Sequence, residues 1–447
     1  MSWLLLLCLN VNATDAGVSE EVNALLARTT SLEERMLDLE RQLEDAQAHA
    51  SALDQRVEER QRLKVDVGGY LDFGFFAVQG NGSGVRRDLT RTQPEYGDLL
   101  SSWVLVGDPL STTINSRGDA ADLGDSRAIT NDLLKSKGRP TFLVNALNLR
   151  LAAQLDDTWF LNVLIDFLPR ERAIAGGAFG DMLDVKLVSL RWQSDFSWGA
   201  VAVVAGKFDS LLGLEYRQQE APQRLTVTPS LVCRYTCGRP VGLKARAEFL
   251  EQRLEVALAV TNGSSSIEQF PFSNETDFNV FKTLSARVAL RLPFKKGLEV
   301  SVSGALGAQD RQVDDTLMQW HFGAAARFEV GALQAQAEFV IGHAPGKEAA
   351  GVPCAGAACL QYKGAYGLVG YRVAMYFIPY LRVDWREATM RSARDWAYVS
   401  NVVRGTLGLR FEPRSSIALK TEYTLNRELT KFEFPDDVFT TSFVVSY

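Results

Sequence analysis

Residues 242–260 read GLKARAEFLEQRLEVALAV. Leu243, Ala245, Ala247 and Phe249 alternate with Lys244, Arg246 and Glu248, and after LEQR at 250–253 the residues Leu254, Val256, Leu258 and Val260 again take every second place. A period of two puts successive side chains on opposite faces of a strand, so the stretch predicts an antiparallel hairpin with one apolar and one charged face. The same alternation recurs in TLSARVALRL at 283–292 and along 297–308, 317–330, 332–342, 379–389, 399–412 and 415–426. No helical period competes with it there.

A soluble sandwich also alternates, so the connections decide. Starting from a strand at 65–79 they run long and short in turn: 80–140 long, 155–157 short, 169–182 long, 194–199 short, 208–240 long. The rule continues through tight turns at 250–253, 293–297, 330–331, Ile378–Pro379 and 413–416, with longer segments between them. Short turns on one side and long loops on the other describe an up-and-down membrane barrel, and the count is about sixteen antiparallel strands. Every second strand should then end its outward face on an aromatic residue, where Phe249, Phe294, Phe328, Phe377, Phe411 and Tyr447 stand. That is the girdle expected at a membrane interface.

The chain closes on FTTSFVVSY, with Phe439, Phe443, Val445 and Tyr447 on one face. This resembles the C-terminal recognition strand of bacterial outer-membrane barrels. GYLDFGFF at 69–76 and GKFDSLLGLEYR at 206–217 are similar to segments of the OmpL-like group of barrel porins. The resemblance implies an outer-membrane location, and it carries no substrate with it.

Ahead of the barrel the spacing changes to seven. Val22, Thr29, Met36, Leu43, Ala50 and Val57 form one set, and Leu25, Leu32, Leu39, Ala46, Leu53 and Arg60 the other. Neither Gly nor Pro interrupts residues 18–63. The pattern predicts an α-helical coiled coil of roughly 60 Å at 18–63, a periplasmic stalk before a barrel at 64–447. A single amphipathic helix on a globular core would show a broader apolar face. A coiled coil ahead of a barrel is similar to the layout of the sucrose porin, and self-association as a homotrimer follows as an expectation. MSWLLLLCLNVNA at 1–13 reads as a signal peptide, short and without its usual basic start; a buried strand is the other reading.

Charge separates the two parts. The chain of 447 residues carries 48 Lys and Arg against 54 Asp and Glu, a net −6. Residues 14–63 hold six bases and twelve acids, so the whole imbalance lies in the stalk and the rest is neutral. No basic excess marks a nucleic-acid partner.

A barrel of this size is wide enough for an aqueous lumen. Strand parity turns thirteen bases inward, among them the pore-lining Lys244, Arg246, Arg287, Arg291, Arg327, Arg382, Arg386, Arg404, Arg410 and Lys420, against ten inward acids that include Glu338, Asp384 and Glu422. Charged rings set pore selectivity, so a weak anion preference is expected; simple pairing with neighbouring carboxylates is the equal alternative. The loop at 208–240, with Lys207, Asp209, Glu215, Arg217 and Arg224 and the apolar runs LLGL and TPSLV, is the candidate constriction loop. An exposed cap, or entry by 80–140 instead, are the alternatives.

CRYTC and CAGAAC place Cys233 with Cys237 and Cys354 with Cys359, two local disulfides in an oxidising compartment, with a four-thiolate zinc site as the poorer fit. No spacing of the three histidines with Ser or acids supports catalysis, and neither a cofactor nor a metal is implied. The sequence therefore reads as a passive diffusion porin for small polar solutes in the outer-membrane lipid. The alternative is a structural anchor whose acidic stalk tethers the barrel to the cell wall or a periplasmic partner.

Overall fold

The computed structural model describes residues 16–62, 64–78, 104–106, 141–167, 183–218, 220–263, 277, 279–292, 297–308, 317–392, 396–429 and 437–447. The predicted signal peptide, most of the 80–140 loop and Phe294 lie outside the described residues. The chain divides into two units, Met1–Leu63 and Lys64–Tyr447.

In the first unit one helix, α1, spans Ala16–Arg62. Strong helix formers and the absence of Gly and Pro after Gly17 carry it without a break. Its heptad seam is bare: Leu25, Leu32, Met36, Leu39 and Leu43 are 56–62% exposed. Thr29, a polar member of that seam, donates its hydroxyl to its own backbone at Leu26, 2.8 Å away. The structure shows the helix and not a coiled coil.

The second unit is a closed barrel. Its strands are β1 Lys64–Val78, β2 Thr141–Gln154, β3 Trp159–Phe167, β4 Leu183–Phe196, β5 Gly199–Lys207 and β6 Val241–Phe249. They continue as β7 Leu254–Thr261, β8 Thr283–Arg291, β9 Leu298–Ala308, β10 Met318–Val330 and β11 Leu333–Ala344. The last five are β12 Cys359–Tyr371, β13 Phe377–Ser392, β14 Trp396–Arg414, β15 Ile417–Glu428 and β16 Val438–Ser446. The sheet has seventeen members, of which the three-residue strand Val104–Val106 runs parallel to β14; the remaining sixteen form an antiparallel meander. Closure comes from β16 returning to β1, with Phe443 opposite Phe73.

Alternation sets the two faces. In β16, Phe439 and Phe443 point outward while Val438, Thr440, Ser442 and Val444 are buried inside. Leu243, Leu258, Leu284, Leu381 and Leu407 are exposed on the same outer surface, as lipid-facing positions of a spanning barrel require. At the short-turn end aromatic rings stack: Phe196 on Trp198 at 5.4 Å, Trp198 on Phe249 at 5.1 Å, Phe377 on Phe411 at 4.8 Å. The two-residue turn between β10 and β11 uses Gly331 at φ +59°, a conformation that other residues adopt only with strain.

One turn falls elsewhere than the sequence predicts. Ile378 and Pro379 lie within β13, with Pro379 opposite Leu409 of β14, and the turn occupies 372–376. Pairing of β13 with β12 starts at Tyr380, so the proline sits where one side of the strand has no neighbour and its missing N–H is tolerated. Between β11 and β12 the predicted loop contains a small hairpin of Lys347–Ala349 and Val352–Ala357.

Candidate functional site

The segment 208–240 leaves β5 at the long-loop end, enters the barrel and returns to β6. Phe208 and Leu211 pack on Ala257 and Ala259 of β7. Gly213 follows at φ +69°, so close to the wall that a Cβ would run into the Glu338 carboxylate. Only glycine fits that approach. Its N–H donates to Ser303 at 3.2 Å, and the Leu214 N–H to Glu338 at 3.0 Å.

Deeper in, Ala221 packs among Tyr70, Ala146, Ala418 and Val444. The chain then climbs back along the opposite wall. Glu422 of β15 accepts the N–H groups of Val227 and Thr228 at 2.7 and 3.0 Å and the Thr228 hydroxyl at 2.8 Å. Asp384 of β13 accepts the Leu231 N–H at 3.0 Å. Tyr235 stacks on Tyr362 of β12 with ring centroids 3.7 Å apart, and Tyr362 is hydrogen-bonded to His321 at 2.6 Å. Buried backbone groups need partners, and this segment finds them on the wall instead of in a sheet of its own.

The inward bases divide by what they touch. Lys420 donates to the carbonyls of Ala221, Thr226 and Arg224 at 2.7, 3.1 and 3.2 Å. Arg410 reaches those of Arg224 and Pro222 at 2.6 and 2.7 Å, and Arg382 that of Thr228 at 2.6 Å while pairing with Asp384 at 2.8 Å. Arg404 donates to Asn426 at 2.8 Å, and Arg386 is fully buried beside it in sequence parity on β13. These bases do not face open water, and Arg382, Arg410 and Lys420 hold the segment. Lys244 lies over the Phe208 ring at 4.6 Å and donates to the Asp209 carbonyl.

On β6 to β9 the bases pair within the wall. Arg287 bridges Glu255 and Glu299 at 2.7 Å each, Arg291 meets the same two carboxylates at 3.3 and 3.4 Å, and Arg246 pairs with Glu248 at 3.3 Å. On β10 Arg327 donates to Glu329 at 2.9 Å. Of the candidate loop residues, Lys207 ends β5 and donates to the Val185 carbonyl at 2.8 Å. Asp209 pairs with Arg239 at 2.9 Å, Arg224 donates to the Val227 carbonyl at 2.6 Å, and Glu215 is buried against Ser230. The side chain of Arg217 lies outside the described residues.

Two carboxyls of the segment carry opposite shifts. Burial raises Glu220, but Lys186 and Arg239 outweigh it and, with hydrogen bonds from Tyr70 and Arg239, bring it down to about 2. Burial keeps Glu215 above the ordinary carboxylate range despite Arg382 and Ser230. The depressed group stabilises the folded segment above its ordinary value of 4.5, and the contribution is lost as pH falls through about 2; the share owed to Lys186 and Tyr70 of the wall acts on insertion. Glu215 acts in the opposite sense, its contribution being present in acid and lost as pH rises through its raised value. Channel current is therefore expected to rise between pH 4.5 and 2 as the Glu220 anchor fails. In Glu220→Gln it should be raised already at neutral pH and change less on acidification.

Disulfides join Cys233 to Cys237 within the segment and Cys354 to Cys359, tying the small hairpin to the start of β12. Glu215 lies near both Cys233 and Cys237, the three ligand atoms within 4.8 Å of one another, but sulfurs bonded to each other offer no thiolate to a metal. Parity had placed Glu422, Asp384 and Glu338 inward as counter-charges; their work as acceptors for loop N–H groups carries no sequence signal.

The barrel fold is shared with solved structures. The chain is similar to the outer membrane channel DcaP of Acinetobacter baumannii, at 12% identity and a TM-score of 0.53, over 87% of this chain and 98% of that one. The fold is that of the outer-membrane porins. Salmonella typhi OmpF, solved in complex with daunomycin, is similar at 8% identity and a TM-score of 0.50, over 86% and 98% of the two chains. No protein-family model and no curated protein matches the chain. Neither structure is named as a sucrose porin or as one of the OmpL-like group, so those finer resemblances rest on the sequence segments alone.

Proposed function

We propose that the protein is a passive outer-membrane channel for small polar solutes, with 208–240 as the element that sets its conductance. The observation that carries this reading is the closed sixteen-strand wall, apolar outside and charged over much of its inner face, with the 208–240 segment folded inside it against an aromatic patch of β11 to β13 and several of the inward charges. Short turns face the periplasm and long loops the exterior. The bare seam of α1 is the stalk through which three copies associate.

Selectivity is weak while the segment is inserted, because the half-exposed bases Arg246, Arg291 and Arg327 each face a carboxylate. Movement of the segment uncovers Arg382, Arg386, Arg404, Arg410 and Lys420, and the channel then prefers anions. The purified protein in planar bilayers tests this. Stable channels with a small reversal potential in a salt gradient are expected; a barrel that never conducts, even with 208–240 deleted, is the anchor and not the channel. Removal of 24–60 should leave conductance per barrel intact and convert the heat-labile oligomer expected on electrophoresis of unheated protein to monomers.

A further inference from the structure

Beside the inserted segment, near the β10–β11 turn, lies a cavity of about 200 Å³. Arg327, Glu329, Gln334 and Gln336 of the wall form one side, and Gln218 and Gln223 of the segment the other. The wall residues come together by register: Arg327 stands opposite Gln336, Glu329 opposite Gln334, and Gln336 opposite Leu368 of β12. Leu368 and Leu225 close the cavity with an apolar floor.

Four carboxamides around one small space offer donors and acceptors in equal measure and no net charge. The two ionised groups cancel, since Arg327 is already held by Glu329 at 2.9 Å. An anion or a zwitterion would have to separate that pair; hydroxyl groups would not. Gln336 is fixed in place, its amide donating to Tyr366 at 3.2 Å, and Tyr366 packs beside Glu338, which accepts the Leu214 N–H of the segment. Its carbonyl oxygen is left to accept from a ligand. The volume is below the roughly 300–1,000 Å³ of sites for drug-sized molecules.

From this geometry we infer that the cavity between β10–β12 and the inserted segment binds a small uncharged polyhydroxylated solute of monosaccharide size. The inference rests on the channel reading and adds a solute class to it. Three of the nine lining residues, Gln218, Gln223 and Leu225, belong to the segment, so the solute binds only the inserted form and holds it in place. A transported solute of this class would thus meet a weak stopping point at the periplasmic mouth.

The test uses the full-length protein in detergent with D-glucose as probe and saturation-transfer NMR as readout. Saturable glucose binding is expected, weakened about tenfold or more by Gln336→Leu and by Gln223→Leu, since each removes hydrogen bonds from the lining. Gln223 lies on the segment and outside the barrel wall, so its variant keeps the test valid if Gln336→Leu does not fold. Absence of a saturable glucose signal, a signal unchanged in both variants, or binding of L-alanine in place of glucose would overturn the inference. Bilayer currents from the same preparations separate the two readings: channels that conduct without binding glucose sink the solute site alone, and protein that binds glucose without conducting sinks the channel.

Discussion

Glu422→Ala is expected to release the returning limb of the 208–240 segment and raise single-channel conductance while the barrel stays folded. The carboxylate is buried and accepts four hydrogen bonds, from the N–H groups of Val227 and Thr228, the Thr228 hydroxyl and the Tyr380 hydroxyl at 2.9 Å. Alanine returns none of them and leaves two buried backbone donors without an acceptor, at about 1–3 kcal/mol each. Even about 3 kcal/mol in all moves the ratio of inserted to displaced segment by about a hundredfold. The barrel does not depend on this residue, because Glu422 belongs to β15 through its backbone, where Gly408 stands opposite it in the ladder. Heat-modifiable migration should therefore be unchanged while conductance rises and anion preference grows, as Arg382 and Lys420 lose their loop partners. A variant whose current and reversal potential match the unmodified protein would show that the segment does not govern the pore.

The wall was legible in the sequence because a strand half in lipid and half in a polar lumen repeats a simple rule at every second residue. GLKARAEFL announces its faces as clearly as any stretch in the chain. What the rule cannot carry is the purpose of an inward charge. Parity turns Arg382 and Arg287 inward alike, yet one holds a loop carbonyl and the other two wall carboxylates. That difference comes from where 208–240 runs once inside, and no local pattern encodes it: its apolar runs LLGL and TPSLV suggest packing without naming the partner. Pro379 misled for a related reason, since a turn and the unpaired edge of a strand ask the same thing of a proline. The four glutamines around the cavity were passed over because an amide beside an alternating strand looks like ordinary lumen polarity.

Arg287→Leu should be the most destabilising single change in the wall. The guanidinium is fully buried and bridges Glu255 on β7 to Glu299 on β9, two strands that β8 holds apart. Leucine matches part of its volume but removes the closest cation from two almost buried carboxylates, Arg291 standing at 3.3 and 3.4 Å and Arg246 at 3.9 Å. Breaking a buried pair from one side costs about 3–5 kcal/mol, because the charge left behind has lost both water and partner. The temperature at which the compact form converts to the unfolded one on electrophoresis should fall markedly. Arg287→Lys should recover only part of the loss, since a single ammonium cannot reproduce two forked contacts. The triple change Glu255→Gln, Arg287→Leu and Glu299→Gln should recover more, because it leaves no charge of the buried triad stranded, and Arg291 and Arg246, which lose those carboxylates, are partly exposed to water. Arg287 and Glu422 share no partner, so the two effects should add: the double variant is expected to be both leaky and heat-sensitive, and a midpoint that falls further than the sum would mean that the inserted segment also braces the β7–β9 wall.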